Sequence, residues 1–153
     1  MTPVEWRRAD VPGAGISIDQ HPAWPVLDGE RLVYQRFCGD GFVSVRWGPG
    51  ATIEDMLATV GLGSAGTTRT VEADEPALVH GRPARRIRLR VSAPPAMAIG
   101  HGPPPSDPEQ VYVFVGFRVG GTPVLTGYRA ALSELPAVGA LVEHVLASAR
   151  PLA

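Results

Sequence analysis

Lysine is missing altogether: all fourteen basic residues of this 153-residue chain are arginine. That absence removes Schiff-base chemistry and the phosphate-gripping lysine of a P-loop. An arginine-only basic set fits a GC-rich bacterial genome. Cysteine occurs once, as Cys38, so no internal disulfide can form and a cysteine-based structural zinc site is excluded. No stretch approaches about eighteen consecutive apolar residues, and the opening MTPVEWRRADVPGAG has no apolar core of signal-peptide length. The expectation is a cytoplasmic protein with no membrane insertion. A charge excess is missing as well: the formal net charge is -1, which argues against nucleic-acid binding through a global positive field.

What is present is a folding chain. Hydrophobic residues make up 44% of it, enough for one packed domain without covalent staples. The segments VYVFVGFRV (residues 111–119) and PVLTGYR (residues 123–129) flank Gly120-Gly121, and together they predict a β-hairpin. In the first, Val111, Val113, Val115 and Phe117 point one way and Tyr112 and Phe114 the other, as in a strand buried on both faces. A helix follows from Ser133 or Glu134, with Pro136 in its first turn. Val138, Leu141, Val142, Val145, Leu146 and Ala149 form its apolar stripe, and Pro151 ends it.

Upstream, Gly15 to Asp19 reads as a short strand, and the proline-rich stretch from His21 to Gly29 as a loop. Arg31 to Phe37 and Phe42 to Trp47 read as strands around an Asp40-Gly41 turn. Thr52-Ile53-Glu54-Asp55 opens a helix with a capping box. Extended segments follow at residues 67–72, 78–80 and 84–91. Residues 93–109 carry six prolines and form a long loop. This order predicts an α+β fold, a mostly antiparallel sheet with helices packed on one face and the C-terminal helix closing the domain. Residues 1–14 are set apart as an N-terminal arm, either a docking strand or a disordered tail, with Trp6 anchoring a short edge strand or a partner contact, and residues 15–152 form the single domain.

Three patterns carry a resemblance. An early aromatic follows the first strand of the domain (Ile16, Ser17, Ile18, Asp19, then Pro22 and Trp24). Gly81-Arg82-Pro83-Ala84 leads into a strand. The closing helix ends in Val145-Leu146-Ala147-Ser148-Ala149-Arg150. On these the chain resembles the Mog1/PsbP-like fold family, which includes DcrB-like and type VI effector-associated chaperone-like proteins. Ala149 departs from the aromatic that members often carry there. The resemblance implies a binding protein, an adaptor or chaperone, and assigns no individual residue.

No catalytic set assembles from the residues themselves. Gly61-Leu62-Gly63-Ser64-Ala65-Gly66 matches G-x-G-x-x-G, but a helix precedes it and a polar strand follows, the reverse of a dinucleotide site. The histidines His21, His80, His101 and His144 show no metal-ligand spacing, and His144 is expected on a solvated helix flank. Neither a metal nor a cofactor is expected. Cys38 has no base near it in sequence. The arginines are the sharper feature: Arg86, Arg88 and Arg90 share one strand face, with Arg82 and Arg85 at its start. They make either a solvated sheet face or a site for an acidic partner or anionic ligand. Arg36 and Arg46 join them if their strands neighbour this one.

The leading expectation is a non-enzymatic protein-binding adaptor or chaperone, with a secretion-system effector as one partner class. It is expected to act as a homodimer, with Tyr112, Phe114 and Tyr128 as an apolar interface. The alternative is a small-molecule site, enzymatic or not, beneath residues 93–109, with Met97, Ile99 and His101 as a lid. Nucleic acid ranks third, because no aromatics interleave with the arginines.

Overall fold

A computed structural model of the chain describes residues 3–37, 41–48, 52–59, 68–92 and 109–152. Cys38, the Gly61–Gly66 run and the proposed lid residues Met97, Ile99 and His101 lie outside the described residues. Ten strands and two α-helices are described. In order these are β1 (Arg7–Val11), β2 (Ile16–Gln20), β3 (Val26–Gly29), β4 (Leu32–Arg36), β5 (Phe42–Trp47), α1 (Ile53–Thr59), β6 (Thr68–Val79), β7 (Arg82–Ser92), β8 (Glu109–Val119), β9 (Thr122–Ala131), α2 (Leu135–Ser148) and β10 (Arg150–Pro151). A 3-10 turn over Leu132–Glu134 leads into α2. The fold class is the expected α+β one, and every described strand pair is antiparallel.

The strands form a seven-stranded sheet of order β3-β4-β5-β9-β8-β7-β6 and a three-stranded sheet of order β1-β2-β10. Turn chemistry sets the hairpin registers. Gly120 and Gly121 take φ of 56° and 87°, and His80 and Gly81 take 48° and 78°. Both pairs occupy the two-residue positions where a left-handed backbone matches the twist of the strands. Two segments differ from the sequence reading. The stretch read as a loop after His21 contains edge strand β3, and the segments read separately at 67–72 and 78–80 are joined in the single strand β6. In the arm, the strand alternative holds as β1, which pairs with β2 in the small sheet.

The large sheet has a clear inner face. Val111, Val113, Val115 and Phe117 of β8 share it with Val124, Tyr128 and Ala130 of β9 and Val43 and Val45 of β5. This face is covered by α2, through Val138, Val142, Val145 and Leu146, and by the small sheet, through Val11, Ile16 and Ile18. Strand β2 is tied to the end of α2 by side chains that must be satisfied there. Arg8 Nη1 donates to the Ser148 carbonyl at 2.7 Å and to Asp19 at 3.0 Å. The Asp19 amide donates to Ser148 Oγ at 2.8 Å. Ser148 therefore docks a helix terminus onto β2, whose Asp19 lies 129 residues earlier in sequence.

Helix α1 lies on the opposite face. Thr52 and Asp55 cap it reciprocally, at 3.0 and 3.2 Å. A Cβ built on Gly116 would lie 2.5 Å from Ile53 Cγ2, so only glycine lets the helix seat there. Met56 packs with Ile87, Leu89, Phe114 and Leu125 in a second, smaller apolar cluster. The two helices thus sandwich the sheet, where the sequence reading placed helices on one face.

Candidate functional site

Strand β7 pairs Arg86, Arg88 and Arg90 with Val115, Val113 and Val111, which places all three on the α2 face of the sheet. Each has a carboxylate of its own. Arg86 forms a two-pronged pair with Glu143 of α2, one hydrogen bond measuring 3.1 Å, and Tyr128 Oη donates to the same carboxylate at 3.3 Å. Burial would weaken the Arg86 cation, but Glu143 more than restores it, and its pKa is raised. Arg88 Nε reaches Glu72 at 3.1 Å and Arg90 Nε reaches Glu109 at 2.9 Å. The stripe is a row of matched ion pairs.

Arg36 and Arg46 do not join it. Strands β9 and β8 stand between β5 and β7, and Arg46 faces Leu125 on the α1 side. The three aromatics expected to share an interface are divided as well. Tyr112 and Phe114 belong to the α1 face, whereas Tyr128 lies under α2. Phe114 and Tyr128 are each only 2% exposed, so neither can line an open surface. Tyr128 is filling core: burial first and Glu143 second push its phenol up to about 12.

Beside α1 the sheet opens into a cleft of about 460 Å³, rimmed by Arg82, Arg85, Arg118 and Glu54 over a floor that includes Ile53 and Gly116. A second cleft of about 300 Å³, lined by Arg69, Val71, Ile87 and Leu89, lies on the other side of Arg85. Between them Arg85 grips Asp74 through two hydrogen bonds of 2.9 and 2.7 Å, with Glu54 at 3.5 Å. The Asp74 bond raises the Arg85 pKa, and Arg85 lowers that of Asp74. Arg118 donates to the Gly121 carbonyl at 3.2 Å. The Arg82 side chain makes no hydrogen bond or ion pair among the described residues, its backbone pairing with Val79 in the hairpin. The first cleft is therefore lined by Arg118, which no described carboxylate neutralises, and by the start of β7, where Arg82 lies on the stripe's side of the strand by alternation and also holds no described carboxylate.

The arginines missed by the sequence reading lie further along the same face. Arg129, paired with Phe42 and Tyr112, stands over the Tyr112 ring at 5.5 Å. Strand parity puts Leu125 and Arg129 on one face and Tyr128 on the other. That signal was available from the sequence, but the identity of each face was not.

The histidines build a different feature. His144 is exposed, as expected of that helix flank, but it also stacks on Trp6 at 4.1 Å and bonds Asp19 at 2.8 Å. His21 stacks on Trp24 at 4.4 Å, edge-on to Trp6 at 5.5 Å, and burial lowers its pKa. Buried Gln35 fastens this corner by donating to the carbonyls of His21 and Trp24, both at 2.9 Å. Trp6 thus anchors the N-terminal strand to α2. Among the described residues, no group of three or more His, Cys, Asp or Glu is placed to hold a metal ion, and no helix is long and apolar enough to cross a membrane.

No family model matches the chain, and no curated protein sequence matches it significantly. Solved structures do match in shape. The solution structure of cyanobacterial PsbP from Synechocystis sp. PCC 6803 superposes with a TM-score of 0.64 at 14% identity, covering 99% of this chain and 95% of that one. The Ran-binding protein Mog1p of Saccharomyces cerevisiae gives 0.56 at 8% identity, covering 97% and 96%. Protein PA94 from Pseudomonas aeruginosa, of unknown function, gives 0.54 at 11%, covering 97% and 98%. The chain has the Mog1/PsbP-like fold.

Proposed function

We propose that this chain is a non-enzymatic protein-binding domain that receives an acidic segment of its partner in the cleft beside α1. The observation that carries this reading is the uneven distribution of counter-charge. At the arginine stripe of β7 an incoming carboxylate must displace one already in place, exchanging like for like. At the cleft it meets Arg118, which holds no described carboxylate, beside the start of β7 where Arg82 also holds none, above an apolar floor. Planar guanidinium forks match carboxylates in geometry as well as charge. The fold, shared with a protein named for binding Ran, supports a protein partner. Within this reading the partner class expected from the sequence, an effector served by an adaptor or chaperone, and a homodimeric state both stand as finer proposals.

The test is capture of binding proteins from native lysate by the full chain, compared between Arg82→Glu/Arg118→Glu and Arg88→Glu/Arg90→Glu. A partner lost with the first pair, kept with the second, and weakened by salt supports the cleft. Loss with the second pair alone moves the site back to the stripe. Sedimentation of the pure chain and of the captured complex decides the dimer.

A further inference from the structure

We infer that β5 carries a separate oxyanion-binding site on the α1 face, with Arg46 and Ser44 as its donors. Arg46 sits near the middle of the large sheet, between Leu32 of β4 and Leu125 of β9, with its side chain half-buried. Its Nε is shielded from solvent and has no hydrogen-bond partner. Two residues along the same strand, and therefore on the same face, Ser44 Oγ is also buried and also without a partner.

Native interiors pair almost all such groups, and a shielded arginine donor is the costliest kind to leave alone. Arg8, Arg85, Arg86, Arg88 and Arg90 each hold a carboxylate in this chain. Arg46 holds none among the described residues, and burial lowers its pKa. Among the described residues no acidic substitute stands beside it: Arg46 pairs with Leu32 and Leu125, Ser44 pairs with Tyr34 and Gly127, and Arg129 further along this face is of the same sign. The strand repeat separates Ser44 and Arg46 by about 7 Å between Cα atoms. Both donors thus belong to neighbouring same-face positions, where one oxyanion can take a hydrogen bond from the guanidinium on one oxygen and from the hydroxyl on another. What fits is a carboxylate of a partner's acidic side chain or a free inorganic oxyanion such as phosphate. This site does not depend on the cleft beside α1.

The experiment titrates the full chain, at constant ionic strength, with inorganic phosphate and separately with a short glutamate-containing peptide. The readouts are the Arg46 side-chain Nε–H resonance and the melting temperature. In the wild type the resonance should shift saturably and the melting temperature should rise. Arg46→Met should lose that ligand-dependent rise while melting no lower than wild type without ligand, since it removes an unpartnered donor. Ser44→Ala should weaken binding several-fold and leave the ligand-free protein equally stable. A response to both ligands identifies a free-anion site, and a response to the peptide alone identifies a partner's carboxylate; either supports the inference. An Arg46 resonance that moves with neither ligand overturns it. So does an equal ligand-dependent rise in wild type and Arg46→Met. If Arg46→Met fails to fold, the wild-type resonance alone still decides.

Discussion

Replacing Gly116 with alanine tests how α1 is held, because the position sits where sheet and helix approach most closely. The added Cβ would stand 2.5 Å from Ile53 Cγ2, 3.4 Å from Ile53 Cδ1 and 3.5 Å from Leu125 Cδ1. Carbon atoms rest at about 3.5–4.0 Å, so Ile53 must retreat by about 1 Å. Leu125 blocks accommodation from the other side, being only 1% exposed in the core. The helix spans seven residues, Ile53–Thr59, and a helix of that length does not persist in water without its packing. Overpacking of this kind costs about 1–3 kcal/mol. Because Ile53 is only partly buried, about 2 kcal/mol is the expected loss, or about 4–8 °C in melting temperature for a domain of this size. The assay is urea and thermal unfolding of Gly116→Ala, Ile53→Ala and the double variant. In the double variant the new methyl group enters the space vacated by Ile53, so the two costs should fail to add by about 1 kcal/mol or more. Because α1 walls the arginine cleft, partner affinity should fall in Gly116→Ala and recover in part in the double variant. A neutral Gly116→Ala, or strictly additive losses, would refute the account of how α1 docks.

The remaining expectations concern charged groups. Tyr128, whose phenol burial and Glu143 push up to about 12, should ionise far later than an ordinary tyrosine near 10. The unfolded chain releases that proton first, so this residue's contribution to stability is complete below pH 10 and declines between pH 10 and 12. The phenolate absorbance lost in Tyr128→Phe reports it, and ionisation at about pH 10 in the native protein would contradict the burial. Asp19 behaves oppositely: burial favours its neutral form, but the hydrogen bonds from His144 and Arg8 outweigh burial and hold its pKa below 3.8. Its stabilisation is present above that pH and is lost as pH falls through the lowered value, so the melting-temperature gap between wild type and Asp19→Asn should close on acidification. A gap that stays constant through the acid range would rule this out. Arg86→Met should cost about 1 kcal/mol, because it strands Glu143 beside Tyr128, whereas Arg88→Met should cost less than about 0.5 kcal/mol, as exposed pairs do. Equal losses in urea unfolding would show that Glu143 does not organise that corner.

Most of the strand plan was legible because its signals are local. Gly120-Gly121 dictates a tight turn, alternation in β7 and β8 fixes which side chains share a face, and the stripe on α2 lies within fourteen residues. What was not legible depends on partners far away in sequence. Nothing in Arg86 announces Glu143, fifty-seven residues later, so an ion-paired stripe and an open one read alike. Strand β3 was hidden because it is short and follows Pro22 and Pro25, and it earns its place only by pairing with β4. The side taken by α1 was equally silent. A seven-residue amphipathic helix must bury one flank, but the hole that receives it, over Gly116, is made by a strand more than fifty residues downstream.

The placement of the two helices also accounts for where unsatisfied chemistry accumulates. At about 1.5 Å per residue the fourteen residues of α2 extend about 21 Å, and with the small sheet they close the inner face of the large one. The seven residues of α1 extend about 10 Å across a sheet whose seven strands, spaced about 4.8 Å apart, are some 30 Å wide. On the α2 face long polar side chains find carboxylates, because a helix and a neighbouring strand supply Glu143 and Glu72 at the right height. On the α1 face the described elements supply too few. Arg118 at one flank of the helix and Arg46 at the other are left with charge but no described counter-charge. An acidic partner laid over α1 would complete on this side the layer that α2 and the small sheet complete on the other. For that reason the binding proposed above is placed on the α1 face, which the described elements cover less, while the arginines of the β7 stripe already hold carboxylates of their own.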